Sequence, residues 1–322
     1  MFASILNTSL RTRRFVAVPV ILTALVAACS DDSTPTAPAV STPSPLFAAG
    51  GSGGSSCGPR CSAPILFDRL INGGLVHYVG KMNADGGNVT ILHLGSNPAW
   101  GPGYTKIAFN YTSGIPGQDI WTMNADGTGA MPITTNGSNI FPSWSPDGTK
   151  IAFVSWRTGS NQIFTMNADG TNQQQLTNVA VNTFPSWSPD GSKITFGSNR
   201  TGNDEVFVMN ADGSNVQQLT NSPAVDAGAV WSPDGKRIAY VSLNAGCDIV
   251  IMKADGSAKT QIVNGRTDCQ NPSFSPDGKK LAFVSDIGSN NFAIFTMNLD
   301  GSAVTQISLG RYIEWLPAWT RR

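Results

Sequence analysis

The chain is poor in charge, in histidine and in long apolar runs. Asp, Glu, Lys and Arg make up only 13% of its 322 residues, about half the usual share, which speaks against coiled coils and helical bundles. There is no basic excess either. Acidic and basic residues number 21 each, but Arg11, Arg13 and Arg14 lie in a leader, which leaves the rest of the chain a formal charge near −3. That balance lacks the electrostatic footprint of a nucleic-acid binder. Two histidines, His77 and His93, offer little material for His-based catalysis or a zinc site. No Gly-x-Ser-x-Gly elbow occurs, and no second domain remains to hold a hydrolase triad. We therefore expect no catalytic residues, no metal ligands and no cofactor. Abundant instead are glycine, with 34 residues, and Ser, Thr and Asn, the composition of a turn-rich all-β protein.

Residues 1–14 form a basic segment, and residues 15–28 an apolar run of 14 residues. That run is too short to span a bilayer and suits the core of a signal peptide. It ends in Leu25-Val26-Ala27-Ala28-Cys29, which resembles a bacterial lipobox. The resemblance implies cleavage before Cys29 and lipidation of its thiol, the alternative being an ordinary secretory leader. Ser30 after the cysteine implies sorting to the outer membrane, on its periplasmic or its cell-surface face. Residues 30–56 are almost wholly Ser, Thr, Pro, Ala and Gly, with nothing to bury and hence no fold. As coil, such a tether reaches roughly 30 Å. The expected division is a signal peptide at 1–28, a tether at 29–63 and a folded domain at 64–322.

From residue 64 onward the chain repeats. Trp100, Trp144, Trp187, Trp231, Phe274 and Trp319 follow one another at spacings of 44, 43, 44, 43 and 45. Met82, Met123, Met166, Met209, Met252 and Met297 run in step with them, as do Asp-Gly pairs at Asp85, Asp126, Asp169, Asp212, Asp255 and Asp300. Three markers in phase over six units are a specific signature of a repeat architecture. In the third unit residues 141–145 read as a strand, followed by Ser145-Pro146-Asp147-Gly148. There Pro presets the first turn position, Asp caps the turn and Gly takes the left-handed position. Residues 150–155 make a second strand, residues 163–166 a third after a loop at 156–161, and residues 173–177 a fourth beyond Asn167-Ala168-Asp169-Gly170. Four antiparallel strands in about 43 residues are the blade of a β-propeller.

The ends give the blade count. Leu316-Pro317-Ala318-Trp319 supplies only a first strand, and residues 65–97 supply the other strands of a unit without its first. Together they complete a sixth blade, closing the ring and removing the exposed sheet edges. The expected fold is all-β, a six-bladed propeller of four-stranded antiparallel blades.

The segments Phe-Pro-Ser-Trp-Ser-Pro-Asp-Gly-Thr-Lys-Ile-Ala-Phe (141–153) and Ile-Phe-Thr-Met-Asn-Ala-Asp-Gly-Thr (163–171) resemble the repeat of the TolB-type, WD-repeat-like propellers. The resemblance extends over residues 65–322. It departs at Gly101-Pro102-Gly103-Tyr104, which stands where other units have Ser-Pro-Asp-Gly. TolB proteins also carry an N-terminal α/β domain that contacts translocation partners. Here the tether stands in that place, so the resemblance does not carry their role over whole.

Ten aspartates occupy the two kinds of Asp-Gly turn. Asn-Ala-Asp-Gly supplies too few oxygen ligands for calcium, so their expected role is to hold turns. The aligned Trp and Met residues are expected to pack blades. His77 aligns with Gln118, Asn161, Asp204 and Cys247, before the third strand of its unit, and His93 with Thr177 in an outer strand, so the two are expected not to share an ion. Beyond Cys29, four cysteines remain for an oxidising compartment. In an up-and-down blade the loop holding Cys247 and the connection holding Cys269 emerge at the same end, which predicts a structural Cys247–Cys269 disulfide. Cys57 and Cys61 would then pair locally, although three connectivities are formally open.

The loops entering the innermost strands place the expected binding surface. Five residues before each aligned aromatic stand Gly95, Asn139, Asn182, Asp226, Cys269 and Glu314, with Asp268 beside them. Neighbouring loops on the same face bring Trp156, Arg157, Arg200, Asp204, Glu205, Asp248 and Asp286. Mixed charge with an exposed Trp suits a mouth that binds a protein, a peptide or a glycan. The expected function is a non-enzymatic binding or scaffold module of the bacterial cell envelope, monomeric, touching the membrane through a lipid anchor only. The alternative is a periplasmic lyase or hydrolase working through Asp226, Asp268 and Glu314, with or without a divalent ion. A third reading is a scaffold whose blades meet partners edge-on.

Overall fold

In the computed structural model the described residues are 63–71, 76–111, 117–135, 137–244, 246–266, 268–286, 292–309 and 313–319. Within them the strands form six separate four-stranded sheets. Blade 1 joins β1 (Ile65–Ile71), β2 (Val76–Met82) and β3 (Thr90–Leu94) to the C-terminal strand. Blade 2 is β4 (Ser96–Trp100), β5 (Lys106–Tyr111), β6 (Asp119–Asn124) and β7 (Met131–Pro132). Blade 3 is β8 (Asn139–Trp144), β9 (Lys150–Ser155), β10 (Gln162–Asn167) and β11 (Gln174–Gln175). Blade 4 is β12 (Asn182–Trp187), β13 (Lys193–Ser198), β14 (Glu205–Asn210) and β15 (Gln217–Gln218). Blade 5 is β16 (Val225–Trp231), β17 (Arg237–Leu243), β18 (Cys247–Lys253) and β19 (Thr260–Arg266). Blade 6 is β20 (Cys269–Phe274), β21 (Lys280–Asp286), β22 (Phe292–Asn298) and β23 (Thr305–Gln306), and β24 (Ile313–Ala318) is the strand that returns to blade 1. It pairs antiparallel with β1, Arg69 opposite Glu314, so the last strand of the chain closes the ring as expected. Helix is confined, among the described residues, to one 3-10 turn at Pro102–Tyr104.

The second and third strands of each blade have neighbours on both faces, so their apolar residues run without polar alternation. In β9 every residue after Lys150 is buried. Phe153 faces Phe164 across β9 and β10, with ring centroids 5.8 Å apart. The same cross-strand pair recurs as Phe196 with Phe207 and Phe283 with Phe295. Each of six apolar clusters seals one junction between blades. The cluster of Leu66 and Val79 with Ile107 and Phe109 joins blades 1 and 2, and that of Phe283, Cys269 and Phe274 with Ile249 joins blades 5 and 6. Blades 6 and 1 are joined in the same way, by Ala282, Val284 and Ile294 against Ile65, Phe67 and Met82.

The turns follow the residues that make them. Ser145 Oγ donates to Asp147 Oδ1 at 2.6 Å, and the Thr149 amide donates to the same oxygen at 3.0 Å. At the opposite hairpin the Thr171 amide and hydroxyl both donate to Asp169 Oδ1. The aspartates of both turn types are thus occupied by turn hydrogen bonds. Where Gly101-Pro102-Gly103-Tyr104 departs from the pattern, the Gly101 amide still donates to the Lys106 carbonyl at 2.8 Å. The 3-10 turn replaces the aspartate bonds, and the blade is unchanged.

Candidate binding faces

The first strand of each blade lines the central channel, and each is interrupted three residues before its aligned aromatic. The pairing of β8 with β9 slips between Ile140 and Ser143, and like shifts occur in β4, β12, β16, β20 and β24. At this bulge Asn97, Phe141, Phe184, Gly228 and Asn271 take positive φ, between 50° and 65°. A bulge re-aims the side chains that follow it. Here it brings Phe141 and Phe184 to a centroid distance of 4.4 Å on one side of the channel, with Gly228 elsewhere in the same wall. The result is a cavity of about 190 Å³, bounded by these bulge residues, by the prolines that follow four of them, by Ala229 after Gly228, and by Ser145, Pro146 and Ser188 at the starts of first turns. It occupies the half of the channel nearer those turns.

The opposite end of the ring carries the loops between second and third strands and the connections between blades. The sequence-derived mouth residues all belong to this end, but they divide by burial. Asn139, Asn182, Asp226 and Glu205 are buried, and the two asparagines clasp one blade to the next. Asn139 Nδ2 donates to Asp119 Oδ1 of blade 2 at 2.9 Å and to Thr134 Oγ1 at 3.1 Å. Asn182 Nδ2 repeats this one junction later, donating to Gln162 Oε1 at 2.9 Å, with Thr177 Oγ1 on the same oxygen at 2.8 Å. Arg157 and Arg200 lock the other side of each amide, donating to Asn139 Oδ1 at 2.8 Å and to Asn182 Oδ1 at 3.0 Å. Their guanidinium groups lie 4.7 and 4.8 Å from the ring centroids of Phe164 and Phe207. None of the six ring positions from Gly95 to Glu314 lines the cavity. The reason is the register: Asn139 pairs with Ser155 inside the sheet, so the first strand begins two residues earlier than the sequence suggests and draws this position into the blade.

Asp248 and Asp268 are half-buried, and Gln270 Nε2 donates to Asp268 Oδ1 at 3.1 Å. Burial pushes the Asp268 carboxyl above its ordinary range, and the nearby Asp286 charge adds to this. The Glu314 backbone lies in β24, while its side chain falls outside the described residues, as do Cys29, Cys57, Cys61, the leader and the tether. Cys247 and Cys269 form the expected disulfide, with Cα atoms 5.4 Å apart. Three large apolar side chains are exposed on this face: Trp156 is 50% exposed, Val179 56% and Leu309 74%. Trp156 is held from behind, its amide donating to the Ser138 carbonyl at 2.9 Å.

One pair was not visible in the sequence. His77 Nδ1 lies 2.9 Å from Asp68 Oδ1. Hydrogen bonding to this carboxyl raises the imidazole above its ordinary value, while burial raises Asp68 itself. His93 instead sits at the outer edge, its ring 5.2 Å from Phe109 and 5.4 Å from Tyr111. The signal for the first pair was available in β1 and β2, which carry one acid and one histidine near the same end, but nine residues of separation hid it.

The family model of the TolB beta propeller domain matches residues 87–180 and 210–322, more than half of the chain. A protein TolB homolog of Chlorobium luteolum is 31% identical over a match covering 24% of this chain and 29% of that relative. The chain thus matches under a third of that relative's length. Among solved structures, TolB from Acinetobacter baumannii is similar with a TM-score of 0.74 at 23% identity, over 82% of this chain and 68% of that one. A TolB-like protein from Agrobacterium tumefaciens gives 0.63 at 19% identity, over 79% and 90%. These structural likenesses speak for the fold.

Proposed function

This chain belongs to the TolB β-propeller family, and from that premise we propose that it is a non-catalytic docking module of the bacterial cell envelope. It takes an envelope protein, peptide or glycan on the loop face of the ring. The observation that carries this reading is Trp156. A half-exposed indole on a pinned backbone, next to an arginine immobilised over two phenylalanines, is a preorganised aromatic anchor of the kind that dominates binding hot spots. Val179 and Leu309 extend the apolar surface available on that end. Asp248 and Asp268 supply polar rim positions, and Arg157 ties the anchor's loop to Asn139.

In this reading the leader at 1–28 directs export, Cys29 carries the lipid, and residues 29–63 tether a monomeric propeller to the outer membrane. The membrane is met only through that anchor, and nucleic acid is not a partner. The enzyme alternative draws little support from the geometry. Asp226, one of its carboxylates, is buried beneath Ser222 and Ser242, and the 190 Å³ cavity is smaller than the roughly 300–1,000 Å³ of typical small-molecule sites.

A crosslinking pull-down from solubilised envelope tests the proposal, with the exported protein and its Trp156→Ala variant as baits. We expect a discrete partner with the first and at least a tenfold loss with the second, in a variant whose unfolding midpoint is unchanged. Equal recovery by the two would move the site off the loop face. Recovery of no macromolecule, together with turnover of an envelope polysaccharide, would overturn the non-catalytic reading.

A further inference from the structure

Two seams of the repeat, where the first-strand position is asparagine, serve as controls for a third, where it is aspartate. At the seams between blades 2 and 3 and between blades 3 and 4, the first-strand residue is an asparagine whose amide donates across the seam, to Asp119 and to Gln162. At the seam between blades 4 and 5 the corresponding residues are Asp226 and Glu205, 2% and 1% exposed. The surrounding scaffold is conserved in form: Thr220 Oγ1 donates to Glu205 Oε2 as Thr177 does to Gln162. The Asp226 amide donates to the Asp204 carbonyl at 2.8 Å as Asn182 does to Asn161. Two things are missing: the arginine that braces each asparagine from its own blade, and the donor across the seam, because two ionised carboxylates are both acceptors.

Ser222 touches both groups, its amide donating to Glu205 Oε1 at 2.8 Å and its hydroxyl to Asp226 Oδ2 at 3.3 Å. Ser242 Oγ donates to Asp226 Oδ1 at 2.6 Å. The ionisable groups around the pair add no positive charge. Asp204 adjoins Glu205 on β14, Tyr240 lies on β17, and Asp248 stands opposite Ser242 in the register of β17 and β18. Arg200, after the strand that pairs with Glu205, is turned to Asn182 and Ser198. The position that corresponds to Arg157 and Arg200 in blade 5 is Asn244. Among the described residues neither carboxyl receives a hydrogen bond from Lys or Arg.

We propose that Asp226 carries a proton which it donates to Glu205 across the seam, and that the seam between blades 4 and 5 is a clasp closed by that proton and loosened when it is lost. Two buried carboxyls at one site cannot both ionise without cost, and the proton restores the donor that asparagine provides in the neighbouring seams. Burial holds the Asp226 carboxyl above its ordinary value, Ser242 partly opposes this, and the Glu205 charge adds to it. The sign follows. The contribution is fully present below the unfolded carboxylate value, about 4, and is lost as pH rises through the folded value. The next seam is covalently fixed by Cys247–Cys269, so the loosening does not spread to it.

The test compares unfolding midpoints of the wild type, Asp226→Asn, Glu205→Gln and the double variant from pH 4 to pH 8. Each single substitution supplies an amide donor, so each should exceed the wild type by a gap that is near zero at pH 4 and reaches roughly 2–4 °C at pH 8. The double variant, which reproduces the Asn182–Gln162 seam, should add nothing further. Infrared difference spectra of the native proteins across the same pH range should show a protonated-carboxyl stretch in the wild type that fades as the gap opens and that both single variants lack. Midpoint curves that stay parallel across pH, or a wild type without that stretch, would overturn the proposal.

Discussion

Cys247 and Cys269 occupy the two positions at which four other blade junctions make a backbone hydrogen bond. The amides of Gly95, Asn139, Asn182 and Asp226 donate to the carbonyls of His77, Gln118, Asn161 and Asp204, at 3.0, 2.9, 2.9 and 2.8 Å. At the fifth such junction, between blades 5 and 6, the same two positions are joined covalently. The disulfide is therefore a hardened form of a contact the repeat already makes, placed one blade before the ring closes.

Breaking that bond should be costly in proportion to the loop it closes. Its cysteines are 22 residues apart, a separation for which loop-closure entropy gives about 3 kcal/mol. Cys247→Ser with Cys269→Ser should lower the denaturant midpoint accordingly while far-UV circular dichroism keeps its all-β form. Peptide mapping without reductant should recover the two cysteines in one linked pair. A double variant within about 0.5 kcal/mol of the wild type would mean that the junction's apolar cluster, not the bond, holds the seam.

Acid should attack the turns. Hydrogen bonds from Ser188 Oγ and the Ser192 amide hold the Asp190 carboxyl below its ordinary value, and Ser145 and Thr149 do the same for Asp147. A depressed carboxyl contributes stability above its unfolded value that is lost as pH falls through the folded one. The midpoint should therefore drop below about pH 4, the unfolded value. Asp190→Asn should lower stability at pH 7 and shrink that acid loss. Unchanged acid sensitivity in this variant would leave the turn carboxylates with no part in it.

The repeat was legible because propeller packing is periodic: each blade buries both faces against its neighbours, so the same Trp, Met and Asp-Gly must recur. Closure was legible from a strand missing at one end and surplus at the other, and the disulfide from two loops that up-and-down topology brings to one end. The channel wall was not. Phe141 and Phe184 sit at positive φ, a conformation their side chains do not advertise, whereas Asn97, Gly228 and Asn271 are residues that favour it. The division of the mouth into clasps and an exposed anchor was hidden for a related reason. Asn139 and Trp156 both read as exposed residues of the mouth, and only the pairing of Asn139 with Ser155 shows that Asn139 lies inside the sheet.

The His77–Asp68 pair should make closure of the ring depend on pH near neutrality. Asp68 lies in β1, the strand that receives β24, and His77 is 44% exposed while the Asp68 side chain is 4% exposed. The imidazole is raised above its ordinary value, so its contribution is complete below about pH 6.5 and fades as pH rises through the folded value. His77→Ala should cost about 1 kcal/mol at pH 6, after solvent screening of a half-exposed partner is allowed for, and less at pH 8.5. Titration of the imidazole by NMR, in the wild type and in Asp68→Asn, isolates the cause. An unshifted imidazole in the wild type would remove it.

Gly170 tests how tightly the blades approach. Its φ is 87°, and a Cβ there would overlap the carbonyl oxygen of Ile133 on blade 2. The same glycine of blade 1, Gly86, meets the Ile307 carbonyl of blade 6, so the close approach extends to the junction where the ring closes. Gly170→Ala combines left-handed strain with an interblade clash against backbone, which cannot swing aside as a side chain can. We expect a loss of about 2–3 kcal/mol in the denaturant midpoint. Gly159 has a similar φ of 92° but open space around it, so Gly159→Ala should lose only the strain, about 1 kcal/mol. The difference between the two substitutions measures the interblade contact itself, and equal losses would show that the backbone conformation alone, not the packing of one blade on the next, requires glycine here.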